Sequence, residues 1–317
     1  MTFAHGYSFD PTYGYDLTRL LEVPAPTPPE DFAEFWTNRY SRAINTTTQA
    51  ELTPAHWHHS RYRVFDLRYR STDGVTIAGW ALTPRQGSPR RGFVVGHGYG
   101  GREGPDLDLP FDDAALLFPC FRGLSRSARS DIPAWPHEHV LCGIEDRHRY
   151  VIGGCVDDLW CAVSALSELF PETGDRLGYL GISFGGGIGA LAIPWDSRLR
   201  RAHLNVPTFG HQTLRLTLPT TGSGEAVRQY QFSHGNVMET LAYYDAASAA
   251  RHTRIAMHVA AALFDPVVAP PGQFAIYNAL PTPKELFVLA AGHFDYPARS
   301  EQERGLSAAL AQFFDPL

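Results

Sequence analysis

The apolar positions of this chain change rhythm part-way along it. The segment YRVFDLRY sets Phe65, Leu67 and Tyr69 against Asp66, Arg68 and Arg70, the period of two that a half-exposed strand requires. Asp73-Gly74 then marks a turn, and VTIAGWAL reads as the partner strand of a hairpin. Farther on, alternation gives way to short continuous apolar runs: GFVVG at 92–96, LGYLG at 177–181, RIAMHVAAAL at 254–263 and ELFVLA at 285–290. Strands apolar on both faces belong in a parallel sheet covered by helices. Between them VDDLWCAVSALSELF puts Leu159, Val163, Leu166 and Leu169 or Phe170 on one helical stripe. A second helix is predicted from about Phe184 until Pro194 stops it. Near the N-terminus, Pro28 and Pro29 open a helix over EDFAEFWTNRYSRAI, with acidic residues in its first turn. The Tyr-, Gly- and Pro-rich residues 1–29 read as an extended arm laid on the body. Antiparallel strands followed by alternating β and α units, with no internal repeat or low-complexity linker, predict one α/β domain over 1–317. Its sheet is mostly parallel and flanked by helices, with residues 1–60 packed on it as arm and helix.

Composition narrows the partners. The chain has 317 residues, 44% of them apolar, enough for a sizeable core. Lys+Arg number 27 and Asp+Glu 33, a balance of −6 without runs of like charge, which argues against nucleic acid or an anionic membrane surface. Lys284 is the only lysine, a sign of compositional bias more than of a site. No apolar stretch is long enough to span a bilayer. The N-terminus lacks the basic start and apolar run of a signal peptide, so a cytoplasmic location is expected. Cys120, Cys142, Cys155 and Cys161 show neither CxxC spacing nor the density of a disulfide scaffold, and read as free, mostly buried thiols.

The chemistry centres on YLGISFGGGIGAL. Gly181-Ile182-Ser183-Phe184-Gly185 fits G-x-S-x-G between a buried strand and a helix, the setting of a nucleophile elbow, although a Gly-rich turn would read the same way. A serine hydroxyl needs a base, and the base needs a residue to orient it. In α/β-hydrolases these follow in the order Ser, Asp or Glu, His, on loops after strands. Here one strand ends at Asp265 and the next is followed by Ala291-Gly292-His293. Taken singly, Asp265 could be a turn residue and His293 a loop histidine; order and placement together make them the expected acid and base. The segment His97-Gly98-Tyr99-Gly100-Gly101 closes a strand as an oxyanion loop does, which assigns Tyr99 N–H and Phe184 N–H as the oxyanion donors. His97 is then structural.

Other groups read as structural or solvated. His56-Trp57-His58-His59 and His137-Glu138-His139 lack a matching carboxylate or cysteine pattern, so they read as solvated loop histidines, and no metal or other cofactor is expected. Arg122 reads as an internal salt-bridge partner before a substrate ligand. Trp160, Tyr243 and Tyr244 read as core or subunit contacts before sugar platforms.

These segments together resemble the acetyl xylan esterase and cephalosporin C deacetylase family, the seventh of the carbohydrate esterases. The resemblance runs from about residue 17 through PTPPEDFAEFW, STDGVTIAGWAL, HGYGG, Phe121-Arg122-Gly123, HVLCGIEDRHRYVIGGCVDDLWCAV and ETLAYYDAASAARHTRIAMHVAAALFDPVVAPPGQFAIYNAL. It implies the α/β-hydrolase fold, a triad of Ser183, Asp265 and His293, and oxyanion donors at Tyr99 and Phe184. It further implies cofactor-free hydrolysis of acetyl esters on sugars or related small alcohols, by a toroidal hexamer whose sites face an internal cavity. Three positions depart from the family pattern: Phe184 and Leu124 stand where it has Gln, and Phe294 where it has Glu. Each swap is polar to apolar and points to a shifted acyl or alcohol preference, with Leu124 and Phe294 as pocket residues. Two rivals stay open: a serine hydrolase acting on other esters or on amides, peptidase-like, and a catalytically silent relative. The absence of a propeller-length N-terminal domain argues against a prolyl-oligopeptidase arrangement.

Overall fold

The computed structural model describes residues 3–281 and 283–317. Nine strands form one sheet: β1 (Glu51–Pro54), β2 (Tyr62–Arg70), β3 (Thr76–Pro84), β4 (Arg91–Gly96), β5 (Ala114–Pro119), β6 (Leu177–Ile182), β7 (Leu199–Asn205), β8 (Ala256–Ala262) and β9 (Lys284–Leu289). Their order across the sheet is β1-β2-β3-β5-β4-β6-β7-β8-β9. The pairs as far as β3·β5 are antiparallel, and the six strands from β5 to β9 run parallel. The mostly parallel sheet is the one the apolar runs predicted, and the architecture is the α/β-hydrolase fold that the family resemblance implies. The β2–β3 hairpin turns where Asp73 and Gly74 both adopt positive φ, 60° and 70°.

The helices that position the site are α1 (Phe32–Ile44), α2 (Val151–Leu169), α3 (Phe184–Ala192), α4 (Gln212–Arg215), α5 (Ser223–His234), α6 (Pro270–Ala279) and α7 (Arg299–Phe314). One core layer lies between the sheet and α1, α2, α3 and α6, built on Trp36, Leu159, Trp160, Ile188 and Phe274. The other lies under α7, where Leu306, Leu310, Phe313 and Phe314 cover Phe93, Phe111 and Phe118. Strand β2 serves both layers. Leu67 and Tyr69 enter the first and Tyr62 and Val64 the second, so its alternation changes phase and Phe65 stays only partly buried.

Two helices differ from expectation. α1 begins at Phe32, past the proline pair, with Asp31 at the N-cap position but making no side-chain capping bond there. α2 starts at Val151 and is buried on nearly every side, Asp157 and Asp158 included, because α1 covers the flank that a surface helix would expose. Those two carboxylates are neutralised in place. Asp157 accepts from Arg39, Arg42 and Thr72, and Asp158 from the backbone, Nε and Nη2 of Arg122. Burial opposes the Arg122 charge, but Asp158 outweighs it and raises the pKa. Trp160, Tyr243 and Tyr244 are core residues of the single chain, and all four cysteines are free. No helix among the described residues is long and apolar enough to cross a membrane.

The N-terminal arm lies along the β8 and β9 loops. Phe3 meets Phe264 edge-on at 5.2 Å and Phe294 at 5.6 Å, Tyr7 meets Phe294 at 6.4 Å, and Pro11 O accepts from Asp265 N–H at 3.1 Å.

Candidate active site

β6 ends at Ile182 and the chain reverses into α3 through Ser183, whose backbone sits at φ 53°, ψ −108°. Such a conformation is strained for a residue bearing Cβ. It is held by Ser183 N–H donating to Asn205 O at 2.8 Å, and by Ser183 O accepting from Gly187 N–H at 2.9 Å and Thr208 N–H at 3.1 Å. The flanking glycines answer a steric need. A Cβ on Gly181 would lie 2.6 Å from the Gly185 carbonyl carbon, and one on Gly185 would lie 2.6 Å from the Gly96 carbonyl carbon.

Ser183, Asp265 and His293 converge beyond the carboxyl ends of β6, β8 and β9. His293 Nε2 lies 2.9 Å from Ser183 Oγ, and its Nδ1 lies 2.8 Å from Asp265 Oδ2. Asp265 is fully buried. Its Oδ1 accepts from Val267 N–H and Val268 N–H at 2.9 Å each, and its Oδ2 also accepts from Gln273 Nε2 at 3.0 Å. A carboxylate that only accepts assigns the ring proton to Nδ1 and leaves Nε2 free to take one from the hydroxyl. Burial lowers the His293 pKa, but the charge of Asp265 and its hydrogen bond more than offset this, so the net shift is upward. The arrangement can deprotonate a hydroxyl and hold the resulting imidazolium.

The two residues expected to supply the oxyanion donors are in contact through their rings. The Tyr99 and Phe184 rings stack at 4.0 Å, and among the described residues neither Tyr99 N–H nor Phe184 N–H donates to a protein acceptor. Phe184 is fully enclosed, with Phe121 and Phe209 also against its ring, so it shapes the site through Tyr99 and not as an open wall. Leu124 is 2% exposed in the main core. Phe294 sits beside His293, where both line a cavity of about 160 Å³ with Ile182, Val206 and Tyr296.

His97 is buried and neutral: its Nε2 accepts from Phe121 N–H at 3.0 Å, and burial pushes its pKa down to about 3. His139 corrects an expectation. It is no solvated loop histidine but fully buried, its Nε2 donating to Arg122 O at 2.9 Å and its Nδ1 accepting from Tyr99 O–H at 2.9 Å. Tyr99 is thereby tied to the loop that carries Arg122. Gln273 was not foreseen either. It joins Asp265 to Val268 O (2.7 Å) and to Ala262 N–H (2.9 Å), and a lone glutamine after two prolines carries no sequence signal for that role.

The chain matches the family description acetyl xylan esterase (AXE1) over residues 16–305. It belongs to the acetyl xylan esterase family. Membership makes it a hydrolase of the esterase kind. Its fold is similar to that of an acetyl xylan esterase from Paenibacillus sp. R4, with a TM-score of 0.80 at 24% identity, covering 93% of this chain and 99% of that one. Acetyl xylan esterase 1 from Thermoanaerobacterium sp. JW/SL YS485 gives 0.80 at 20% identity, over 96% and 98%. An acylaminoacyl peptidase from Pyrococcus horikoshii gives 0.63 at 15%, covering 81% of this chain and 42% of the peptidase.

Proposed function

We propose that the chain is a serine carboxylesterase that removes acetyl or short acyl groups from acetylated sugars, xylo-oligosaccharides or related small alcohols through an acyl-enzyme. The observation that carries this reading is the unbroken relay from Ser183 Oγ to His293 Nε2 at 2.9 Å and from His293 Nδ1 to Asp265 Oδ2 at 2.8 Å. Ser183 Oγ attacks the ester carbonyl carbon as His293 takes its proton. Asp265 fixes the tautomer and stabilises the cation through its bond to Nδ1. Tyr99 N–H and Phe184 N–H hold the oxyanion, each donor contributing about 3 kcal/mol to the transition state. Collapse breaks the bond to the alcohol oxygen, which receives the proton from His293. Water then gives its proton to His293 and attacks the acyl-enzyme; collapse frees the acid and returns the proton to Ser183.

The test is hydrolysis of 4-nitrophenyl acetate, butyrate and octanoate beside acetylated xylo-oligosaccharide, with Ser183→Ala as control. Turnover of acetate and oligosaccharide, both lost in the variant, supports the sugar deacetylase. Turnover confined to longer acyl chains keeps the serine chemistry and moves the substrate. Hydrolysis of 4-nitroanilides in place of esters would support the amide reading, which the likeness to a peptidase fold keeps in view. A homo-oligomer, the hexamer included, and a cytoplasmic location belong to the same proposal. Trp135 and Phe232, 74% and 75% exposed, support a subunit contact, and sedimentation velocity would measure it.

A further inference from the structure

The strongest unexplained polar group near the site is Arg215, the last residue of α4. Arg39, Arg122 and Arg198 hold carboxylates at 2.9, 2.7 and 2.6 Å, whereas Arg215 is half-buried. Arg215 has no carboxylate in salt-bridge reach among the described residues. Its Nη1 donates to Gln212 Oε1 at 3.1 Å, and its guanidinium carbon stands 5.5 Å from the centre of the Phe209 ring. Two acids are in the neighbourhood, and both are committed. Asp245 accepts from Gln212 N–H and Ser248 N–H, and Glu225 is paired with Arg228 at 2.6 Å while also accepting from Thr220 N–H. Burial pulls the Arg215 pKa below its ordinary value, with Tyr150, Tyr99 and Asp245 opposing, which marks a cation short of anionic company.

Arg215 borders a small cavity of about 10 Å³ with Thr208, Phe209, Thr220, Val267 and Val268. Thr220 is 7% exposed, and its Oγ1 has no hydrogen-bond partner. The two polar groups are close together. A Cβ placed on Gly224 would lie 3.1 Å from Arg215 Nη2 and 3.3 Å from Thr220 Oγ1. Residues of the cavity wall also hold the candidate active site. Thr208 N–H donates to Ser183 O, Val267 and Val268 donate to Asp265, and the Phe209 ring touches that of Phe184. The space takes about one oxygen atom. An ionised oxygen there would meet a guanidinium fork and a hydroxyl, both lacking such a partner.

We infer that Arg215 and Thr220 form a receptor for a carboxylate carried by the substrate, so that the enzyme prefers esters bearing an anionic group over their neutral counterparts. The inference rests on the ester-hydrolase reading. The carboxylate can belong to the acyl or to the alcohol portion, and two substrate pairs separate these: monoethyl succinate against ethyl butyrate, and 2-acetoxyacetate against propyl acetate, each followed by acid release in a pH-stat. In one pair the wild type should favour the anionic ester in kcat/KM, and sodium chloride should reduce the preference. In Arg215→Gln the anionic-to-neutral ratio should fall by roughly 10- to 100-fold, with Arg215→Lys recovering part of it and Thr220→Val losing less. Should Arg215→Gln not fold, the wild-type ratio and its salt dependence decide. A wild type that favours the neutral ester in both pairs, or a ratio unchanged in Arg215→Gln, overturns the inference and means the cavity holds only a buried water. Failure to hydrolyse any of the four esters overturns the parent reading too, and fluorophosphonate labelling of Ser183 tells the two failures apart.

Discussion

Replacing Gln273 with Leu tests whether the acid residue is held by its surroundings or merely placed by the β8 loop. The side chain is fully buried and makes three bonds: Nε2 to Asp265 Oδ2 (3.0 Å), Nε2 to Val268 O (2.7 Å), and Oε1 from Ala262 N–H (2.9 Å). Leucine keeps the volume and removes all three. Leaving Ala262 N–H and Val268 O unpaired in the interior costs about 2–4 kcal/mol, the desolvation of two backbone groups less what they recover by relaxation. At roughly 2–4 °C per kcal/mol that lowers Tm by about 4–16 °C. Asp265 keeps its two backbone donors on Oδ1, but Oδ2 is left with His293 alone. The carboxylate then directs more of its charge at the imidazole and raises the His293 pKa further. The acid limb of kcat/KM should move to higher pH, with a loss of roughly 10- to 100-fold near neutrality as the carboxylate wanders. The assay is 4-nitrophenyl acetate hydrolysis from about pH 5 to 9 beside a thermal melt. A variant with the lowered Tm but an unmoved limb and near-normal kcat/KM would show Gln273 to be a structural brace only, and the positioning argument would fail.

The remaining expectations reach other parts of the fold. His97, His203 and His258 are buried neutral, with pKa values pushed down by burial to about 3, about 3 and about 4. Their folded pKa values lie below the unfolded one, so stability is whole above about pH 6.5 and falls as acid is added toward pH 4, by up to about 1.4 kcal/mol per pH unit for each histidine. The raised His293 opposes this, and the lowered His139 and His252 add to it. Urea unfolding at pH 7, 5.5 and 4.5 measures the slope; equal stability throughout refutes it. Arg122→Met leaves Asp158 buried and uncompensated and should cost about 3–5 kcal/mol, read from the same unfolding curves. Loss under about 1 kcal/mol would contradict the pairing. Phe3→Ala with Tyr7→Ala strips the arm from Phe264 and Phe294 and should lower kcat/KM roughly 3- to 10-fold by loosening the loop beside His293; unchanged kinetics would show the arm to be passive.

The legible parts of this chain are those where one residue's chemistry announces its neighbours. Continuous apolar runs predicted β4, β6, β8 and β9, because a strand in a helix-covered parallel sheet has few places for a polar side chain, although β9, at the sheet's edge, is only partly buried along most of its length. β7 escaped, since Arg200, Arg201 and His203 break its apolar run. Arg201 survives there by donating to Phe313 O and lying on the Phe313 ring, partners from α7, remote in sequence. The mixed faces of β2 and the burial of α2 were illegible for a related reason: each depends on what another segment covers. The site divides likewise. Ser183, Asp265 and His293 stand out because turns and strand ends mark them, whereas Gln273, His139 and Arg215 act through distances that no local spacing encodes. His139 looked like half of a surface pair with His137 until the fold put Tyr99 and Arg122 against it.

The most direct measurement is labelling of the intact chain with a fluorophosphonate, the modified peptide being located by mass spectrometry, alongside 4-nitrophenyl acetate turnover of wild type and Ser183→Ala. The account predicts one adduct, on Ser183, and a loss of turnover in the variant of roughly 10⁴-fold or more with the melt unchanged. An adduct on another residue, or a Ser183→Ala variant that turns over as the wild type does, would contradict it.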